Sequence, residues 1–353
     1  MKQPRLSPIG FLFTVTFCVA MLFSISILVP HNKHDRFERH HDGTTQKADW
    51  IYARLTFNPT PVDVALIGTS RTGAGLSAPR IEAAYCMATG QRIHIANLSI
   101  PQTGRNLHAV IVKELLQHKS PGLILVEMNE HEARKPHPGF IFLADAEDIL
   151  RAPVLINLNF ASDLLRLPGR QLDLFMSGLL PNGSRVDSAQ DHLSSDHLDR
   201  TDRLVLRDGS IVSRDVIVDR PYLTREKTRR TQSAKATHVL PEFLYPLEYR
   251  FSRIYLERIE EAAANAGAQI DYAYLPAWEE PTFPPTLAAE LGGRKPSFVP
   301  TPDIANDPDL WLDPTHLNAA GARALTAEFA EWLVQTAPNL GRPAAPGPCP
   351  SVD

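Results

Sequence analysis

Four short apolar runs set the first constraint on how this chain folds. "VDVALIG" (62–68), "RIHIANLSI" (92–100), "GLILVEM" (122–128) and "QIDYAYLP" (269–276) have strand length, are rich in β-branched residues and are bounded by Gly or Pro. Helical candidates lie between the first three, at about 77–88 and 104–118. Two longer amphipathic stretches follow. In 246–266, Phe251, Ile254, Tyr255, Ile259 and Ala262 share one stripe that stops at Gly267; in 318–336, Ala322, Leu325, Phe329, Trp332 and Leu333 do the same. Strands alternating with helices predict an α/β fold, a three-layer α/β/α sandwich in which a parallel sheet is covered on both faces.

The rest of the 353 residues is partitioned by composition. Residues 9–29 carry no charge over a length sufficient to cross a bilayer, and they exceed the short core of a cleaved signal peptide, so they read as an uncleaved transmembrane anchor. Residues 1–8 are then a cytoplasmic tail. Lys2 and Arg5 before the span compete with Lys33, Arg36 and Arg39 after it, so charge alone leaves the orientation open. Residues 30–60 are charged and polar and read as a solvated stalk, whose His31, His34, His40 and His41 have no metal-ligand spacing. The folded domain is expected over 61–336, with a large insertion or cap at about 130–243 where the strand–helix rhythm fails. Residues 337–353, with five prolines, are expected to be disordered. Cys86 and Cys349 can pair only if that tail folds back, and Cys18 lies in the span, so no disulfide framework is indicated. The 36 basic residues against 40 acidic ones argue against nucleic acid as a partner.

The first strand ends in "GTSRTGAG". As a phosphate loop it has Gly68 and Gly73 in register, but Ala74 and Gly75 stand where Lys and Ser/Thr are needed; as a dinucleotide fingerprint it has Ala78 at the third glycine. The remaining reading puts Ser70 just past the carboxyl end of a parallel strand, where open α/β sheets hold their ligands. A serine hydroxyl needs a base to take its proton and a carboxylate to orient that base. "LWLDPTHLNAAGA" (310–322) offers Asp313 and His316, three apart and just before a helix. A capping turn with a surface histidine is the plain alternative.

Together these two segments resemble the SGNH (GDSL-type) hydrolase superfamily. The matches are Gly68-Thr69-Ser70 and Asp313-Pro314-Thr315-His316, followed by Leu317-Asn318 and Gly321. The likeness is to its membrane-anchored branch, similar to alginate and exopolysaccharide O-acetylation proteins, and covers about 62–128 and 244–336. The resemblance implies a flavodoxin-like sandwich and a serine esterase or O-acetyltransferase without cofactor. Ser70 is implied as nucleophile, His316 as general base and Asp313 as its orienting acid. It further implies an acylated cell-envelope or exported polysaccharide as substrate, a multi-pass membrane acyltransferase as partner, and a domain on the periplasmic side of the inner membrane. The chain departs from the family's oxyanion donors. Gln102 stands where the second-block glycine would fall, Gly104 follows two residues later, and Asn129 in "VEMNEH" lacks its preceding glycine. Ser70, Gly104 and Asn129 are the oxyanion candidates, and the loss of one such donor typically costs about 2.7–4 kcal/mol. A non-catalytic, glycan-binding or assembly protein on the same fold is the alternative. Arg71 is a candidate substrate contact. His131 and His137 do not form a zinc motif, and Arg225, Lys227, Arg229 and Arg230 read as a solvated basic face.

Overall fold

A computed structural model describes residues 7–38, 45, 47–132, 135–154, 156–179, 201–205, 211–235, 240–340, 342–343 and 349. The expected His40 and His41, and most of the expected cytoplasmic tail, lie outside these residues. The helices in chain order are α1 (Pro8–Leu28), α2 (Lys33–Glu38), α3 (Ala48–Thr56), α4 (Ser70–Gly75), α5 (Ala78–Thr89), α6 (Arg105–His118), α7 (Phe140–Leu143), α8 (Ala146–Leu150), α9 (Phe160–Leu179), α10 (Arg220–Lys235), α11 (Tyr245–Asn265), α12 (Pro285–Glu290), α13 (Pro302–Asn306) and α14 (Ala319–Thr336). The central sheet holds β1 (Val64–Ile67), β3 (Ile95–Asn97), β4 (Leu123–Met128) and β7 (Gln269–Tyr274), all parallel, in the order β3-β1-β4-β7. Short antiparallel pairs join β2 (Gln91–Arg92) to β10 (Arg342–Pro343), β5 (Arg203–Val205) to β6 (Ile211–Ser213), and β8 (Trp311–Asp313) to β9 (His316–Leu317).

Strand periodicity explains the two faces. Along β1, Ala65 and Ile67 enter one core while Val64 and Leu66 enter the other; along β4, Ile124, Val126 and Met128 oppose Leu123 and Leu125. The first core is closed by Leu107 and Ile111 of α6 and by Leu256 and Ile259 of α11; the second by Ile81 and Tyr85 of α5 and by Leu325 and Phe329 of α14. Every β1 and β4 side chain is buried, which is why these strands read as apolar runs, broken in β4 only by Glu127.

Residues 30–60 differ from the expected stalk. Ile51 and Leu55 of α3 are buried in the first core, each contributing about 1.5–3 kcal/mol by leaving water. Their charged neighbours are absorbed as well: Arg36 is buried and bonds Asp145, and Arg54 donates to the carbonyls of Thr60 and Pro61 at 2.8 and 2.7 Å. The tail also departs from expectation. It folds back so that β10 pairs with β2, and Cys349 forms a disulfide with Cys86. The insertion at 130–243 splits in two: α7, α8 and α9 extend the α6 side of the domain, while the segment around Arg214 packs beside α14. Among the described residues α1 is the one helix long and apolar enough to cross a membrane, and it buries none of its side chains.

Candidate active site

The first strand, the last hairpin and the insertion converge at the carboxyl edge of the sheet. Ser70 opens α4, whose N-cap Thr69 accepts from the Arg71 N–H at 3.2 Å. The turn that holds Ser70 is itself held by Glu127, a buried carboxylate near the end of β4. Glu127 accepts from the Thr69 N–H (2.8 Å), the Thr69 hydroxyl (2.7 Å), the Thr72 N–H (3.1 Å), the Thr72 hydroxyl and the Asn129 amide (3.2 Å). Gly68 is required by this approach, because a Cβ there would stand 2.0 Å from Thr72 Oγ1 and 2.5 Å from Glu127 Oε2.

Two segments separated by 246 residues meet here. The Ser70 hydroxyl lies 2.8 Å from His316 Nε2, and His316 Nδ1 lies 2.8 Å from Asp313 Oδ2. With the carboxylate accepting at Nδ1, that nitrogen carries the proton and Nε2 faces the serine as an acceptor. The β8–β9 hairpin fixes this geometry. Asp313 Oδ1 accepts from the Thr315 N–H (2.7 Å), the Thr315 hydroxyl (2.8 Å) and the His316 N–H (3.1 Å), and the Trp278 N–H holds the Pro314 carbonyl at 3.0 Å. Burial opposes ionisation of Asp313, but the His316 and Thr315 hydrogen bonds outweigh it and hold the carboxyl well below the usual carboxylate range. The residues after His316 are structural: Leu317 enters the second core, and Asn318 caps α14 by accepting from the Gly321 N–H at 3.0 Å.

A cavity of about 240 Å³ opens onto Ser70 and His316, with walls from Lys47, Ser99, Pro101 and Arg214. Two of these basic walls were invisible in sequence. Lys47 comes from the stretch expected to be stalk and donates to the Asn97 carbonyl; Arg214 comes from the insertion and donates to the Ala74 carbonyl at 2.6 Å. A second, more open cleft of about 500 Å³ runs from Asp313 and Thr315 to Arg229 and Arg230 of α10. The basic stretch of α10 is partly paired: Lys227 with Glu280 (3.1 Å), Arg229 with Glu226 (2.7 Å) and Arg230 with Glu130 (3.8 Å).

The other candidate residues fall elsewhere. Arg71 does not face the cavity; it is buried, forms a two-pronged ion pair with Glu130 and donates to the Leu275 carbonyl at 2.9 Å, so its role is to tie the serine turn to the ends of β4 and β7. Asn129 turns its amide to Glu127, and neither it nor Gly104 lines the cavity. A Cβ on Gly104 would meet His137 Cβ at 2.4 Å, so packing explains that glycine. His137 is a positioning residue for the same loop: its Nε2–H donates to the Pro101 carbonyl at 2.8 Å, and burial pushes its pKa down to about 4. Gln102 has φ of +73°, a left-handed conformation that non-glycine residues adopt at a cost of about 1–2 kcal/mol. Among the described residues no cluster of His, Cys, Asp or Glu is built to hold a metal. No protein-family model and no curated protein sequence matches the chain.

Proposed function

We propose that the protein is an SGNH-type serine esterase or O-acyltransferase with a flavodoxin-like sandwich. The observation that carries this reading is the hydrogen-bonded series Ser70–His316–Asp313, assembled from opposite ends of the chain beside a cavity. The strand order β3-β1-β4-β7 supports the fold assignment, being the first four places of the doubly wound flavodoxin-like pattern.

In this mechanism Ser70 Oγ attacks an ester carbonyl while its proton passes to His316 Nε2, and Asp313 stabilises the imidazolium. The tetrahedral adduct collapses, and the departing alcohol takes that proton from His316. An acyl-serine ester is left. Water or a sugar hydroxyl then gives its proton to His316 and attacks the acyl carbon; the second adduct collapses, and the departing Ser70 Oγ takes that proton back from His316. The Ser70 N–H at the start of α4 is one donor for the oxyanion. The substrate class, an acylated envelope or exported polysaccharide, and a multi-pass membrane acyl donor as partner both follow from the resemblance.

α1 as a single-pass anchor, with the domain outside the cytoplasm, is supported by the Cys86–Cys349 disulfide, since such bonds persist in oxidising compartments. A non-catalytic glycan-binding role is the second reading, favoured by Asn129 being committed to Glu127 instead of the cavity. Fluorophosphonate labelling separates the two. The enzyme reading expects Ser70 to be modified in the wild type and labelling to vanish in Ser70→Ala and collapse in His316→Ala. An unlabelled Ser70 in folded protein leaves the binding reading.

A further inference from the structure

One long helix of the insertion presents apolar surface on two sides. The inner face of α9 buries Leu167, Gln171, Leu174 and Ser177 against α1, α7 and α8. Its outer face leaves Leu165, Leu172, Met176 and Leu179 exposed at 76%, 51%, 53% and 61%. Spaced i, i+7, i+11 and i+14, these four fall within about 60° of helical arc and form one continuous stripe. A narrow polar strip of Ser162, Arg166 and Asp173 lies beside it.

The neighbour of α9 identifies the occupant. α9 packs on α1, and the Gln171 amide donates to the Ile27 carbonyl at 3.2 Å, beside the end of α1. On that end Phe23, Ser26 and Ile27 are half-buried, whereas α1 from Phe11 to Leu22 is exposed throughout. An anchor crossing a bilayer therefore carries α9 to the surface where it emerges.

We propose that α9 is a second membrane contact, an interfacial helix whose Leu165-Leu172-Met176-Leu179 stripe sits among the acyl chains of the bilayer that α1 crosses. It fixes the tilt of the domain on the membrane, which a single spanning helix would leave free. The inference rests on α1 being an anchor and is independent of the chemistry at Ser70.

The test uses the full-length chain carrying Cys18→Ser, with the disulfide intact, in dilute phosphatidylethanolamine–phosphatidylglycerol vesicles. Single cysteines at Leu165→Cys, Leu172→Cys and Met176→Cys are spin-labelled and compared with Leu22→Cys in α1 and Asp173→Cys in the polar strip. Collision rates with oxygen and with a water-soluble nickel chelate report depth. The three stripe sites are expected to favour oxygen, as Leu22 does, and Asp173 to favour nickel. Stripe sites as nickel-accessible as Asp173, with Leu22 still deep, overturn the α9 contact and leave the anchor standing. A nickel-accessible Leu22 overturns both. Stripe sites shielded from both reagents assign the stripe to a second copy of the chain and overturn the lipid assignment.

Discussion

Replacing Glu127 probes how the serine turn is held. Five donors converge on its carboxylate, two of them backbone N–H groups of the turn that presents Ser70. Glu127→Ala leaves Thr69 and Thr72 with buried, unpaired N–H groups at about 1–3 kcal/mol each, to which the lost volume adds, so a total of roughly 3–6 kcal/mol is expected. Glu127→Gln is milder. Its amide oxygen can keep both N–H groups at the Oε2 position, but its NH2 then faces the Asn129 amide donor at the Oε1 position, a loss of about 1–3 kcal/mol. Displacing Ser70 by about 1 Å from His316 is expected to slow its chemistry on the order of 10²-fold. Urea midpoints measure the first effect and rates of inactivation by a fluorophosphonate measure the second. The ordering wild type, Gln, Ala is expected in both series. An alanine variant with unchanged midpoint and unchanged inactivation rate refutes the assignment of Glu127 as the support of the turn.

Further outcomes follow from other contacts. Burial opposes ionisation of Glu130, but the Arg71 charge outweighs it and holds the folded pKa at about 2; the pair's stabilisation is therefore complete above pH ~4.5 and is lost as pH falls toward 2. Glu130→Gln should cost about 3–5 kcal/mol at neutral pH by stranding the Arg71 charge and should flatten stability in that acid window; an unaltered urea-midpoint profile contradicts this. Burial raises Glu82 to about 7, so its contribution is present below pH ~4.5 and fades as pH rises through 7. Glu82→Gln keeps an acceptor for the Ile95 N–H and should remove that decline, as midpoints at pH 5 and 8 will read. Gln102→Gly relieves a positive φ and should preserve stability and acyl chemistry, while Gln102→Val should lower both, measured by melting and by ester turnover.

The legible part of this molecule was its repeating part. Strands β1, β3 and β4 sit inside apolar runs because parallel strands buried on both faces need such runs, β7 sits in the fourth run and is buried over its second half, and α11 and α14 lie where single stripes of Phe251, Ile259, Leu325 and Phe329 demand helices. Ser70, Asp313 and His316 were legible for a related reason: each sits in a short local motif next to an element boundary. The rest depended on distant partners. Arg36 looked solvated because Asp145 lies 109 residues away, and Lys47 because the Asn97 carbonyl lies 50 residues away. The Pro-rich tail read as disordered because neither β2 nor Cys86 announces a partner at Arg342 or Cys349. Glu127 did leave a signal, a lone acid inside an otherwise apolar strand, and burying an acid requires the donors it proves to have.

The central claim is that Ser70 carries an acyl group between attack and release. Brief exposure of the full-length protein to an activated acetyl ester, followed by acid quenching and peptide mass analysis, tests it most directly. One acetyl group is expected on the peptide bearing Ser70, absent from Ser70→Ala and strongly reduced in His316→Ala. Ester turnover at wild-type rates by Ser70→Ala, with no acetylated Ser70 peptide in the wild type, contradicts it.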